Sequence, residues 1–243
     1  MSADPVATPE TRKIPVKFNP RQWLMIAAAV VVVAAAAIYY LVSRPQTVIT
    51  DAANSPAATT GGAAANSEMM VAGPLGDMTL GDPKAPNVVI EYASMTCTHC
   101  QRFHQDVYRP FKAKYIDTGK VYFIFRDYPL DPLAAAAIVV AHCGPKERFF
   151  PLVDLMFDHQ SEWAFVQDPV AALQNLVKQA GISEETFKGC LTNQPLLDGV
   201  NWVKDRGEKQ FGVSATPTFF INGTKYSGEQ TLADLDKVLG GTS

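Results

Sequence analysis

The sequence predicts an α/β domain carried behind an apolar N-terminal segment. Three observations lead there. An apolar run from Val88 to Ala93 is followed by helical spacing and then by a second apolar run, Val121 to Phe125. Helix start and stop signals then occupy positions from about 131 to 212, and strand signals return around an Asn222-Gly223 pair. With 243 residues, 47% of them apolar and 19% charged, the chain can build a core and is neither wholly disordered nor collagen-like.

Trp23 to Val42 are twenty consecutive uncharged positions rich in Ala and Val. At about 1.5 Å per residue they match the ~30 Å hydrocarbon core of a bilayer, so residues 23–42 are expected to form a transmembrane anchor. Arg12, Lys13, Lys17 and Arg21 precede the span and only Arg44 closely follows it. That bias puts residues 1–22 in the cytoplasm and the catalytic domain outside the inner membrane, in the periplasm or at the cell exterior. Trp23, Tyr39 and Tyr40 suit the two headgroup belts. The alternative is secretion after cleavage of a signal peptide near Ala34 to Ala37, although the apolar stretch exceeds the usual ~7–15 residues of such a leader. Either route leads to an oxidising compartment. Residues 43–76, mostly Ala, Ser, Thr, Asn, Gly and Pro, read as a flexible linker.

Residues 77–243 form the expected folded domain. Residues 45–243 carry 16 basic and 22 acidic groups, so no basic surface for nucleic acid is indicated. The Gly81-Asp82-Pro83 turn and Pro86 introduce the first strong strand. After it, Cys100, Phe103, Val107 and Phe111 recur at helical spacing, so Cys97-Thr98-His99-Cys100 opens a helix, which Pro110 is expected to kink or shorten. Strand, helix and strand Val121 to Phe125 should make a right-handed parallel crossover. In the helical block, Asp131-Pro132 and Asp168-Pro169 are N-cap and first-turn pairs, Gly144 and Gly181 suit helix ends, and Ser183-Glu184-Glu185 starts another helix. Gln194-Pro195 opens a long segment closed at Gly212. Thr218 to Ile221, a type I′ turn at Asn222-Gly223 and Lys225-Tyr226 make a hairpin, and Thr231 with Asp234 caps the last helix.

The C-x-x-C spacing carries the chemistry. Residues i and i+3 of a helix lie about 5–6 Å apart on one face, within the range a disulfide bridges. Cys97, at the helix start, meets free backbone N–H groups and the positive end of the helix dipole, which favour a thiolate and should bring its pKa from about 8.5 into the ~3.5–7.5 range. A stabilised thiolate makes the corresponding disulfide a stronger oxidant. The His99 imidazole can donate to, or when protonated pair with, the Cys97 sulfur. Glu91 sits in an apolar strand on the face of Val89, where burial should raise its pKa; a solvent-facing or capped Glu91 is the ordinary alternative. His104, His142 and His159 read as packing or solvent-facing residues. One C-x-x-C is also half of a zinc site, which His99, His104 or His142-Cys143 would have to complete, but nothing in the spacing requires that convergence. No metal and no cofactor are expected.

The chain resembles the DsbA-like thiol-disulfide oxidoreductases over most of residues 75–240. The matching residues are Val89-Ile90-Glu91-Tyr92, Cys97-Thr98-His99-Cys100, Arg126-Asp127-Tyr128-Pro129-Leu130 and Ala215-Thr216-Pro217-Thr218-Phe219-Phe220. The resemblance implies a thioredoxin-like fold with a helical domain inserted at about 131–212. It implies Cys97 as the exposed nucleophile, Cys100 as the buried resolving thiol, and Glu91 as a buried acid serving proton transfer to that thiol. Thr98 replaces the Pro of the best-known members and implies a less extreme oxidant. The resemblance also implies a cis Thr216-Pro217 peptide facing the redox centre, where Thr216 pairs with an extended substrate. Cys143 and Cys190 are either bridged or two buried free thiols; the resemblance favours a structural disulfide. Reduced or unfolded exported polypeptides are the implied substrates and a DsbB-like quinone-linked membrane protein the implied partner for reoxidation. The alternatives are a reductase or isomerase of the same fold and, further off, a non-enzymatic redox-sensing or metal-binding module.

Overall fold

A computed structural model describes residues 67–240; the expected cytoplasmic segment, membrane anchor and most of the linker lie outside the described residues. Among the described residues no helix is long and apolar enough to cross a membrane.

Five strands form one sheet in the order β1-β3-β2-β4-β5. β1 is Met78–Leu80, β2 Asn87–Ala93, β3 Val121–Asp127, β4 Thr218–Ile221 and β5 Thr224–Ser227. β2 runs parallel to β3, with Glu91 opposite Phe125, and antiparallel to β4, with Glu91 opposite Phe219. The sheet is buried on both faces, which is why β2 and β3 read as near-continuous apolar runs. Val89, Ala93, Phe123, Phe125 and Phe219 join the larger core cluster, while Ile90, Tyr92, Ile124 and Phe220 join a second on the opposite face.

The crossover helix α1 begins with Thr98–Arg102 and remains helical through a π segment, Phe103–Tyr108, a short α turn, Arg109–Phe111, and a second π segment, Lys112–Ile116. The expectation that Pro110 shortens this helix is therefore corrected. Proline removes one i→i−4 hydrogen bond, and the wider i→i+5 spacing on either side carries the helix past it.

Between β3 and β4 lies the helical block: α2 Pro132–His142, α3 Phe149–Asp158, α4 Gln160–Trp163, α5 Pro169–Gln179, α6 Glu184–Leu191 and α7 Gln194–Phe211. Asp131, Asp168 and Ser183 cap α2, α5 and α6 through their side chains. Gly212 ends α7 at φ +64°, a left-handed conformation that costs glycine little. Cys143, just past α2, is bonded to Cys190 in α6, 47 residues away. Asn222 and Gly223 both have positive φ between β4 and β5, as a type I′ turn needs. α8, Leu232–Val238, starts with a capping box of Thr231 and Asp234.

Residues 67–76, assigned to the linker from composition, pack on the domain. Met69 is buried, and its carbonyl accepts a hydrogen bond from Arg126 Nη2 at 2.6 Å. Arg126 also pairs with Asp77 at 2.9 Å and donates to Tyr92 Oη at 3.2 Å. A buried guanidinium with five donors takes whatever acceptors the chain brings, and polar composition alone does not register that demand.

Candidate active site

The Ser94–Cys97 turn delivers the C-x-x-C from the end of β2 to the start of α1. Cys97 N donates to Ser94 O at 3.1 Å, and Ser94 Oγ accepts from Leu130 N at 3.2 Å. Thr96 Oγ1 donates to Asp131 Oδ2 at 2.5 Å, which ties the turn to the α2 cap. Gln160, fully buried at the start of α4, donates through Nε2 to Met95 O at 2.7 Å and Cys97 O at 3.1 Å. The helical block thus holds the backbone that carries Cys97.

Cys97 occupies the N-cap of α1, with φ −80° and ψ 116°, and its sulfur accepts from Cys100 N at 3.3 Å. Its thiol reaches Thr216 O, also at 3.3 Å, and the Thr216-Pro217 peptide is cis. The Cys97 pKa is lowered to about 6, first by the Cys100 thiol, against burial, with further help from Thr216 and the backbone N–H groups of Cys100 and His99. Cys100 has no exposed surface, and burial followed by the adjoining Cys97 sulfur and the Glu91 charge pushes its thiol well up. Both cysteines are free thiols here. Two thiols three residues apart thus have opposite protonation preferences: Cys97 is held toward the thiolate and Cys100 toward the protonated thiol.

Cys97 keeps only 6% of its surface, so the expectation of an exposed thiol is corrected: Cys97 is buried, with its sulfur against Thr216 O. Thr98 is exposed on the first turn. The His99 ring does not face the Cys97 sulfur: Nδ1 meets Glu229, which also binds Arg102, and Arg102 Nη2 lies 2.6 Å from the same ring nitrogen. His99 reaches Cys97 only through its backbone N–H. Arg102, with His99, holds the Glu229 carboxyl below its usual range.

Residues 75–240 match the family model described as Thioredoxin. The crystal structure of α-DsbA1 from Wolbachia pipientis superposes with a TM-score of 0.65 at 33% identity, over 71% of this chain and 95% of that one. A Rickettsia conorii protein assigned as a protein-disulfide oxidoreductase is 33% identical over 171 residues, 67% of this chain and 60% of that protein. This chain belongs to the thioredoxin family, with the DsbA-like thiol-disulfide oxidoreductases. BdbD of Bacillus subtilis, at 21% identity and a TM-score of 0.60 over 68% of this chain and 91% of that one, shares the fold. The chain spans about three fifths of the length of the curated relatives it matches.

Within that thioredoxin fold, Glu91 is fully buried on the α1 face of β2, and its Oε2 lies 3.2 Å from His104 Nε2. His104, read from sequence as a packing or solvent-facing residue, is instead a buried ionic partner. Burial pulls its pKa down, but Glu91 and Asp154 outweigh that and raise it to about 9. His142 likewise pairs with buried Asp127 at 2.8 Å. The residues a zinc site would need are thus engaged apart: His99 with Glu229, His104 with Glu91, His142 with Asp127 and Cys143 with Cys190. Gln160, His104, Arg102 and Glu229 were missed from sequence. His104 alone left a signal, lying one helical turn beyond Cys100 on the same face.

Proposed function

We propose that this chain is an oxidase that passes a Cys97-Cys100 disulfide to reduced polypeptides outside the cytoplasm. A substrate thiolate attacks Cys97 Sγ, the Cys97-Cys100 bond breaks, and Cys100 leaves and takes up a proton. A second substrate thiolate then attacks the substrate sulfur of the mixed disulfide and releases Cys97 as thiolate. Two electrons move from the substrate dithiol to the enzyme.

The observation that carries this direction is the asymmetry of the two sulfurs. Stabilising Cys97 as thiolate favours the reduced enzyme and makes its disulfide the stronger oxidant. The Thr216 carbonyl beside Cys97 supports a backbone-pairing role for Thr216 and Pro217, which suits substrates that share no side chain. The Trp23 to Val42 segment and its basic flank support anchoring with the domain outside the membrane. A DsbB-like quinone-linked membrane protein is the partner that would restore the disulfide.

The test is equilibration of the full-length protein with glutathione buffers of graded redox ratio. The expected result is a protein reduced even in buffers that leave ordinary structural disulfides intact. Persistence of the Cys97-Cys100 disulfide in strongly reducing buffer would reverse the proposed electron flow and make the protein a reductase.

A further inference from the structure

Glu91 and His104 form a charged pair inside an aromatic sleeve, an arrangement that folding does not require. Their side chains are 0% and 2% exposed. The His104 ring lies against Tyr108, with centroids 4.6 Å apart, and Phe157, at 4.4 Å, with the edges of Phe103 and Phe125 closing the remaining sides. Apolar side chains of similar volume often fill such a space with no loss of stability, and sometimes with a gain. The pair is also placed against the redox centre. Cys100 and His104 are four residues apart on one face of α1, all three side chains are buried in the same core, and the Glu91 charge is among the causes that raise the Cys100 thiol.

The pair has an outlet. His104 Nδ1, which has no hydrogen-bond partner, lies 3.8 Å from Asp154 Oδ1 on α3, and the Asp154 side chain is 40% exposed. That gap is too long for a hydrogen bond and short enough for a carboxylate rotation or one water to close. Asp154 and Tyr108 both line a cleft of about 520 Å³ open to solvent, together with Lys112, Lys146, Glu147 and Phe150. The titratable and charged groups around His104 are therefore Glu91 from β2, Cys100 and Tyr108 from α1, and Asp154 from α3, with the Lys112, Lys146 and Glu147 charges at the cleft. Tyr108 is held protonated by burial and by the carboxylates near it.

From this arrangement we infer that His104 and Asp154 extend Glu91 into a proton relay between the buried Cys100 thiol and the cleft lined by Tyr108, Lys112 and Asp154. The inference rests on the exchange chemistry proposed above and goes beyond it in assigning the proton's route. When Cys100 resolves a mixed disulfide at Cys97, its thiol proton passes to Glu91. Cys100 Sγ bonds to Cys97 Sγ, and the partner sulfur leaves with the electron pair of the broken bond. As Glu91 takes that proton, His104 gives up its Nδ1–H through Asp154 to water, so the ion pair becomes a neutral Glu91–His104 pair and one proton reaches solvent for the one that leaves Cys100. The reverse sequence supplies the proton when Cys100 leaves during substrate oxidation. His104 and Asp154 touch neither sulfur; they act through Glu91 as positioning residues for the proton.

The test uses the full-length reduced protein mixed rapidly with glutathione disulfide. It resolves attack by Cys97 from the later closure of Cys97-Cys100 that releases glutathione. In the wild type, closure should vary little between pH 6 and 8. In His104→Gln it should be about a hundredfold slower at pH 6 and rise nearly tenfold per pH unit, because hydroxide must then take the proton. Asp154→Asn, at a partly exposed site, should shift the profile the same way by a smaller factor, about three- to tenfold. Attack by Cys97 should be unchanged in both variants. A purely structural pair would leave the closure profile flat in Asp154→Asn, and that result overturns the relay even where His104→Gln does not fold. Reaction with glutathione disulfide and unaltered closure in both variants overturns the relay alone. No reaction in the wild type overturns the exchange reading and the relay with it.

Discussion

Cys97 holds its reactivity through backbone and sulfur donors, not through the neighbouring imidazole. Each pKa unit is about 1.4 kcal/mol of preference for one protonation state, so the donors at the N-cap decide which sulfur ionises first. The thiolate absorbance of the reduced protein should show its first midpoint near 6, and a midpoint near 8.5 would remove the basis for the oxidase direction. The same shift predicts a pH-dependent stability. The folded pKa lies below the unfolded one, so between about 6 and 8.5 the unfolded chain binds the extra proton. The contribution is therefore absent below about 6, grows with rising pH and is complete above about 8.5. Urea midpoints of the reduced wild type should climb through that window relative to Cys97→Ser; parallel curves for the two proteins would contradict it.

Two contacts between elements fix where the redox turn sits. Gln160 of α4 satisfies two carbonyls of the turn from inside the core, and no other side chain of the helical block bonds to Cys97 O. Gln160→Ala leaves both carbonyls buried without that donor and should cost about 2–3 kcal/mol, a melting shift of roughly 5–10 °C. Exchange rates should fall with it, because the turn loses its tie to α4 and Cys97 O keeps only the Gln101 backbone N–H; an unchanged melting temperature would mean that α4 does not support the turn. On the other sheet face, α7 approaches β2 so closely that a Cβ at Gly207 would lie 2.7 Å from the Tyr92 ring. Gly207→Ala should destabilise by about 1–3 kcal/mol in urea unfolding with the Cys97 titration unmoved, since the clash is remote from the sulfur. A neutral Gly207→Ala would show that α7 shifts at little cost. The caps at Asp131, Asp168, Ser183 and Thr231 were readable because each joins residues three apart. The α/π alternation of α1 was not, because it reflects how the whole helix lies on the sheet around Pro110.

Across the domain, the Cys143-Cys190 bridge joins α2 to α6 within the block that also braces the active turn. Closing a loop of that length should contribute roughly 4 kcal/mol by restricting the unfolded chain. The Cys143→Ser, Cys190→Ser protein should keep its exchange activity and melt earlier by roughly 10 °C or more. Two freely alkylated thiols at these positions in the oxidised protein would show that the bridge does not form. What could be read along the chain was local: strands from apolar runs, helices from caps and spacing, a turn from Asn222-Gly223, and a cysteine pair three residues apart at a helix start. These depend on a residue and neighbours within a turn or two, whose geometry the backbone imposes directly. The docking of residues 67–76, the turn of His99 toward Glu229, the support from Gln160 and the pairing of His104 with Glu91 and Asp154 came only with the folded chain. Their partners lie up to 138 positions away, and a polar side chain entering a core takes whichever group of opposite character the packing leaves beside it.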